Sequence, residues 1–324
     1  MKKVCVVGYG AIGPVHAKAL ERVEQATLYA VCDIDAARCR ACAESYSVKE
    51  YVDFDEMLQD TQIDSVHICT PHYLHFEMIQ KALAAGKDVV VEKPVTMTRE
   101  QFAMLKTLEG AERVCVVLQN RTNPCVEKMK ELVESKELGK VLGAKGILTW
   151  YRSKEYYDSE EWRGKWATEG GGVLINQAVH TLDYFSYLIG NVVNVKANMC
   201  NYSLEKVIEV EDTFTARLGF DNGTTGIFFA TNGYHENSAP YFEIAFEKGH
   251  VRYQDKKLWV NGNMVEEDTH PSIGKAYWGS GHGKLFKLYY DEQKYFSIAD
   301  VQNTMETMFA MYDSANSSGR EIKL

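Results

Sequence analysis

The chain has no basic excess: 45 aspartates and glutamates outnumber 36 lysines and arginines, for a formal charge of -9 over 324 residues. A nucleic-acid surface normally advertises itself as a basic stripe, so this balance argues against one. No apolar run approaches the roughly 18 residues that a membrane-crossing helix needs. The strand-like Lys2-Lys3-Val4-Cys5-Val6-Val7 begins at once and leaves no room for a secretory leader, so the expected location is cytoplasmic. Internal repeats, low-complexity linkers and charge blocks are absent as well. The eight cysteines lack the spacing of a metal or disulfide framework. Cys5, Cys32, Cys69 and Cys115 sit in short apolar runs where a free thiol acts as a small hydrophobe, and Cys125 and Cys200 are isolated. Cys39 and Cys42 make a lone Cys-x-x-Cys in a helical stretch with no second pair, so no metal site is expected.

What is present is length and pattern. At 45% hydrophobic, 324 residues exceed the usual single domain, which makes two domains the default. Val4 to Val7, Leu28 to Cys32, Val66 to Cys69, Val89 to Val91 and Val114 to Leu118 read as short strands. Helix-length stretches such as Ile12 to Val23, His72 to Ala85 and Arg99 to Glu109 lie between them. Repeated strand-helix alternation implies a parallel sheet covered on both faces, with ligands at the carboxyl ends of its strands.

Gly8-Tyr9-Gly10-Ala11-Ile12-Gly13 follows the first of these strands and opens a helix, and Asp33 ends the second strand about twenty residues later. The three glycines suit a tight turn, close approach to a pyrophosphate and helix-strand contact, while the helix N-terminus offers amide donors. Asp33 can accept from adenosine ribose hydroxyls and would repel a 2′-phosphate, which favours NAD, although nearby Arg38 keeps NADP open. Later strand ends run into Thr70-Pro71-His72-Tyr73-Leu74-His75 and Glu92-Lys93-Pro94. Proline after Lys93 biases that lysine away from helix and ends the strand there. Farther on, Glu169-Gly170-Gly171-Gly172 leads into Val173-Leu174-Ile175-Asn176-Gln177-Ala178-Val179-His180-Thr181-Leu182-Asp183. On a continuous helix at about 100° per residue, Asn176, His180 and Asp183 share one polar stripe within apolar surroundings.

Together these pieces resemble the glucose-fructose oxidoreductase, inositol dehydrogenase and MocA-like family. The match is carried by Gly8 to Gly13, by Thr70-Pro71 with His75, by Gly86-Lys87 leading to Glu92-Lys93-Pro94, and by the glycine run ending in His180-Thr181-Leu182-Asp183. The resemblance implies a Rossmann domain over 1–119 and a second α/β domain over 120–324. The latter would carry a large, mostly antiparallel sheet that often forms homodimer or homotetramer contacts. It further implies hydride transfer between a nicotinamide and a carbinol carbon of a sugar, cyclitol or derivative, with Lys93 and His180 matching the catalytic lysine and histidine. Gly8, Tyr9, Gly10, Ala11, Ile12, Gly13, Asp33, Thr70, Pro71, His75, Glu92 and Lys93 are the expected cofactor contacts. Asp183 matches a position that commonly meets substrate hydroxyls. One departure matters: polyol dehydrogenases of the family often carry aspartate four residues before the histidine, and here stands Asn176, which can orient a neighbour but not hold charge.

Oxidising an alcohol needs a base within about 3 Å of the hydroxyl. Histidine starts near 6.5 and lysine near 10.4, so His180 is expected as the base and Lys93 as the group that binds and polarises the oxygen, in roles that can exchange. Ahead of the glycine run, Trp150-Tyr151-Arg152 through Tyr156-Tyr157 to Trp162-Arg163-Gly164-Lys165-Trp166 interleaves aromatics with bases. Aromatic faces suit sugar C–H surfaces and arginine forks suit carboxylate or phosphate, so Trp162 and Arg163 are expected substrate contacts. Tyr277-Trp278-Gly279-Ser280-Gly281-His282 reads as a similar loop, with His282 a further contact. Beyond residue 190, strands are expected at Val192 to Cys200, Thr213 to Phe220, Thr224 to Thr231, Tyr241 to Phe246 and Lys257 to Val260, with Asp221-Asn222-Gly223 as a hairpin turn. Two rival functions share these features: an oxidation-initiated glycoside lyase or epimerase that recycles NAD, and a non-catalytic sensor of dinucleotide or sugar. A sensor could lose Lys93 or His180 without penalty, and both are present.

Overall fold

The computed structural model describes residues 1–274 and 279–324. They form two compact units, Met1–Thr122 with His270–Val301 and Asn123–Thr269 with Gln302–Leu324. The first break lies close to the expected 119/120 boundary. The expectation that all of 120–324 forms the second domain is corrected, because residues His270–Val301 return to the first unit.

The first unit holds six parallel strands: β1 (Lys2–Val7), β2 (Ala26–Cys32), β3 (Lys49–Tyr51), β4 (Ser65–Ile68), β5 (Asp88–Val91) and β6 (Val114–Val116). Their order β3-β2-β1-β4-β5-β6 reverses direction between β1 and β4. That reversal is where open α/β sheets place ligands. Continuous apolar runs explain the strands, since both faces are covered: Val4, Val6, Val90, Cys115 and Val117 are buried with Val15 and Leu20 of helix Gly13–Leu20. Leu285, Phe286 and Tyr290 of helix Gly281–Glu292 complete this core, which is why that late segment belongs here.

The second unit is built on a nine-stranded sheet of β7 (Val141–Thr149), β8 (Val192–Cys200), β9 (Thr213–Phe220), β10 (Thr225–Thr231), β11 (Tyr241–Phe246), β12 (Gly249–Gln254), β13 (Lys257–Val260), β14 (Asn263–Glu267) and β15 (Ile322–Lys323). The order is β14-β13-β12-β11-β7-β10-β9-β8-β15, antiparallel throughout except between β7 and β10. The Asp221-Asn222-Gly223 turn joins β9 to β10, with Gly223 at φ +82°. Gly146 on β7 and Gly226 on β10 leave a seat for the Phe185 ring, and a Cβ added at either would stand 2.8 Å from it. Phe185 directly follows helix Val179–Tyr184, so this seat fixes the segment that carries His180 against the sheet. A five-residue π-helical turn, Phe185–Ile189, ends the segment, a distortion that recurs beside functional sites. Among the described residues, no helix is long and apolar enough to cross a membrane.

Candidate active site

Three glycines at the end of β1 have distinct physical grounds. Gly8 has φ +84°, and a Cβ on it would meet the Cys69 carbonyl oxygen at 2.8 Å; one on Gly13 would stand 2.3 Å from the Gly8 carbonyl oxygen. A Cβ on Gly10 would meet nothing within 4 Å, so the backbone there borders open space that a bulky phosphate can approach. Asp33, 5% exposed, accepts from Tyr9 N–H at 2.7 Å on Oδ2 and from Asp35 N–H at 2.9 Å on Oδ1, with Arg38 Nη1 at 3.4 Å. Its carboxylate therefore holds the glycine turn against the end of β2 and keeps acceptor capacity for a ribose hydroxyl. These residues fit a dinucleotide: a cradle open at Gly10, a helix N-terminus behind it, and an acidic group one strand away.

Three expected contacts of the first unit prove to be interior. His75 is fully buried with Nδ1 2.8 Å from the Pro94 carbonyl and Nε2 2.9 Å from the Thr70 carbonyl, so it shapes the two strand-end loops instead of facing a ligand. Glu92 is also buried: Oε1 lies 3.0 Å from His16 Nε2, and Oε2 accepts from Lys93 N–H at 3.1 Å. His282, expected in a loop, is in the first turn of helix Gly281–Glu292, 1% exposed, with Nε2 3.6 Å from Glu92 Oε1. Tyr277 and Trp278 of that loop lie outside the described residues. His16 Nδ1 meets His67 Nδ1 at 3.0 Å, His67 Nε2 meets Tyr290 OH at 2.8 Å, and Tyr290 OH meets Ser65 Oγ at 2.8 Å.

Burial lowers the pKa of both His16 and His67. Burial alone would raise Glu92, but hydrogen bonding by His16 and His282 more than offsets it and holds this carboxyl well below its ordinary value. With neutral rings and an ionised Glu92, one proton arrangement satisfies the whole chain: Ser65 donates to Tyr290, Tyr290 to His67, His67 to His16, and His16 to Glu92. The side-chain nitrogen and oxygen atoms of His16, Glu92 and His282 lie within 4.8 Å of one another. Lys93 is half-buried beside this anchored glutamate, and Thr70 and Pro71 are half-buried at the end of β4.

In the second unit the continuous helix expected from Val173 is corrected: regular α-helix runs only over Val179–Tyr184, after irregular turns. The cause lies in the glycine run. Gly171 and Gly172 pass so close to Tyr312 and to the Glu211 backbone that a Cβ would stand 2.0 Å from Tyr312 OH or 1.9 Å from Glu211 O. The Glu211 carboxyl accepts from Gly172 N–H, Leu174 N–H and Tyr312 OH at 2.9, 3.1 and 3.0 Å. Burial pushes its pKa up to about 7. His180 is half-buried at the start of the helix. Asp183 is 1% exposed and accepts from Thr304 Oγ1 at 2.7 Å, a bond that braces this helix from within the second unit. Asn176, half-buried, donates Nδ2–H to Glu169 Oε1 at 2.5 Å.

Arg163 stacks 4.4 Å above the Tyr156 ring and 5.6 Å from Trp162, and donates to Tyr156 O and Ser159 Oγ. Arg152 lies 4.7 Å from the Trp150 ring and 5.1 Å from Tyr156, so the aromatic-basic segment forms one stacked ladder. Behind it, Gln177 donates to Tyr156 OH at 3.2 Å, and Asn232 donates to Gln177 Oε1 at 2.9 Å. Sequence reasoning does not single out Glu169, Gln177, Asn232 or Glu211. Glu169 carries one visible signal, a single acid set directly before a glycine run.

Residues 2–120 match the oxidoreductase family with an NAD-binding Rossmann fold, and residues 126–252 match the GFO/IDH/MocA C-terminal domain. Among solved structures, the WlbA dehydrogenase of Chromobacterium violaceum, in complex with NADH and UDP-GlcNAcA, is 30% identical with a TM-score of 0.86, over 100% of this chain and 96% of that one. The WlbA dehydrogenase of Bordetella pertussis, with the same two ligands, is 26% identical with a TM-score of 0.86, over 100% and 98%. The scyllo-inositol 2-dehydrogenase (NAD(+)) of Bacillus subtilis is 29% identical over 232 residues, 69% of this chain; the chain spans just under two thirds of that relative's length, 65%.

Proposed function

Because the chain belongs to the Gfo/Idh/MocA oxidoreductase family, we propose that it is an NAD-dependent dehydrogenase acting on a secondary alcohol or ketone of a sugar, cyclitol or sugar derivative. The observation that carries this reading is the pairing at the ends of β1 and β2: a glycine turn open at Gly10 and a buried Asp33 tied to it through Tyr9. A bound nicotinamide would supply the hydride acceptor or donor. The chain's own part is proton handling and orientation. Lys93 follows a glutamate locked by His16, so its backbone is held where β5 ends, and its ammonium can bind and polarise the substrate oxygen. His180 opens the helix seated by Phe185, and its imidazole takes the hydroxyl proton on oxidation and returns it on reduction. Trp162 and Arg163, in the stacked ladder with Tyr156, are the proposed wall for a sugar face. Two guanidinium groups in that ladder favour a substrate that carries a carboxylate or phosphate, as the UDP-GlcNAcA of the WlbA complexes does. The protein is further proposed to be a cytoplasmic homo-oligomer through its large sheet.

The test is reduced-nicotinamide absorbance with NAD and with NADP against a panel of sugars, cyclitols, glycosides and nucleotide sugars. NADH accumulation with an anionic sugar derivative is the expected result. Silence across the panel would overturn simple dehydrogenation and favour a sensor or a cofactor-recycling lyase.

A further inference from the structure

Glu169 is 1% exposed and stands seven residues before Asn176, yet both of its oxygens are committed. Oε1 accepts Asn176 Nδ2–H and Oε2 accepts Gly164 N–H, each at 2.5 Å. Gly164 has φ +74°, and a Cβ there would stand 2.6 Å from Ile208 Cγ2, so its N–H is pinned inside the fold between Arg163 and Lys165. One side chain therefore ties the aromatic-basic segment to the lead-in of the His180 helix. A group that accepts on both oxygens has nothing to donate. Turning the Asn176 amide over would press Oδ1 against Oε1, leaving two buried acceptors face to face and a hydrogen bond unmade.

We propose that Glu169 is a positioning residue that fixes the orientation of the Asn176 amide, so that its carbonyl oxygen is what a substrate meets and the preferred substrate offers a hydroxyl or N–H donor there. This rests on the reading of Asn176 as a substrate contact. The asparagine that replaces the family's frequent aspartate is thus turned into a one-way acceptor by a carboxylate set outside the stripe. Substrates that present a carboxylate or carbonyl oxygen at this point are rejected, because acceptor would face acceptor.

The substitution Glu169→Gln isolates this role. The introduced amide oxygen can still accept Gly164 N–H, but the introduced N–H₂ group now faces Asn176, which must turn over and present its own N–H₂ outward. The expected result is a fall of about 10- to 100-fold in kcat/KM, carried by KM for the alcohol, with KM for the dinucleotide and the melting temperature unchanged. Combining Glu169→Gln with Asn176→Asp restores a donor-acceptor pair of the same size and again presents an oxygen, so at least about tenfold of the loss returns. Amide exchange in protein labelled with ¹⁵N-asparagine gives a readout without substrate: the Asn176 side-chain N–H₂ is slow to exchange in the native protein and fast in Glu169→Gln. Unchanged exchange overturns the proposal, as does a double variant no better than Glu169→Gln. Changed exchange with unchanged kinetics instead overturns Asn176 as a substrate contact.

Discussion

At the residue scale, charge decides cofactor choice. Asp33 sits in a nest of backbone N–H groups from Tyr9 and Asp35, with Arg38 3.4 Å away. Replacing it by serine removes the ribose acceptor and the charge that repels a 2′-phosphate, while leaving Arg38 to meet one. Asp33→Ser is expected to raise KM for NAD by about tenfold or more and to move the preference toward NADP; a variant that keeps the wild-type NAD/NADP ratio would refute the role given to Asp33. Lys93→Met and His180→Ala should each lower kcat by about 10²–10⁴-fold with dinucleotide affinity retained, measured by steady-state kinetics beside cofactor titration. The placement of Gly8, Gly10, Gly13, Asp33 and Lys93 at strand ends was legible because each strand is a short apolar run with a clear stop. His75, Glu92 and His282 were legible as polar groups but not as interior ones. The partners that bury Glu92 are His16 and His282, each far away in sequence. A periodic pattern places a residue on an element and says nothing of what a distant element brings to it.

At the element scale, the irregular turns before His180 depend on one carboxyl. Glu211 has an ordinary pKa near 4.5 and is pushed to about 7 by burial. Its folded value lies above its unfolded one, so its contribution to stability is full below about 4.5 and is lost as pH rises through 7. The slope is about 1.4 kcal/mol per pH unit in that window, roughly 3 kcal/mol in all. Glu211→Gln carries no such proton, so denaturant unfolding from pH 5 to pH 8 should show wild-type stability falling relative to the variant up to pH 7 and running parallel beyond it. Parallel curves throughout would exclude the shift. The other support of this helix is the Phe185 seat, where Gly146→Ala should cost about 1–3 kcal/mol through overpacking and lower kcat by displacing His180. This seat also shows why β7 escaped the sequence reading: its glycines at 143 and 146 look like turn residues, but Gly146 lies in a strand because a ring from elsewhere takes the place of its side chain.

At the scale of the whole molecule, strand alternation made the parallel sheet legible, and the change of pattern near residue 120 marked its end. The return of His270–Val301 was not legible, since nothing local distinguishes a helix that completes an earlier core from one that begins a new unit. The large sheet raises the last question. One of its faces receives Phe185, Phe228 and Phe242, all fully buried, while the other carries Ile227 at 53% exposure. Across that open face Glu243, Lys145, Ile227 and Arg217 lie in register on β11, β7, β10 and β9. Ile227 stands between Lys145 and Arg217, with Glu243 beyond Lys145, so the row has one acidic and one basic end, and a two-fold axis can bring the acidic end of one row against the basic end of its copy. Light scattering after size exclusion is therefore expected to give twice or four times the chain mass. Ile227→Lys should shift it to the monomer, because the added like charges would face each other across the axis. A monomeric wild type, or an Ile227→Lys protein whose mass does not change, would remove this face from the assembly.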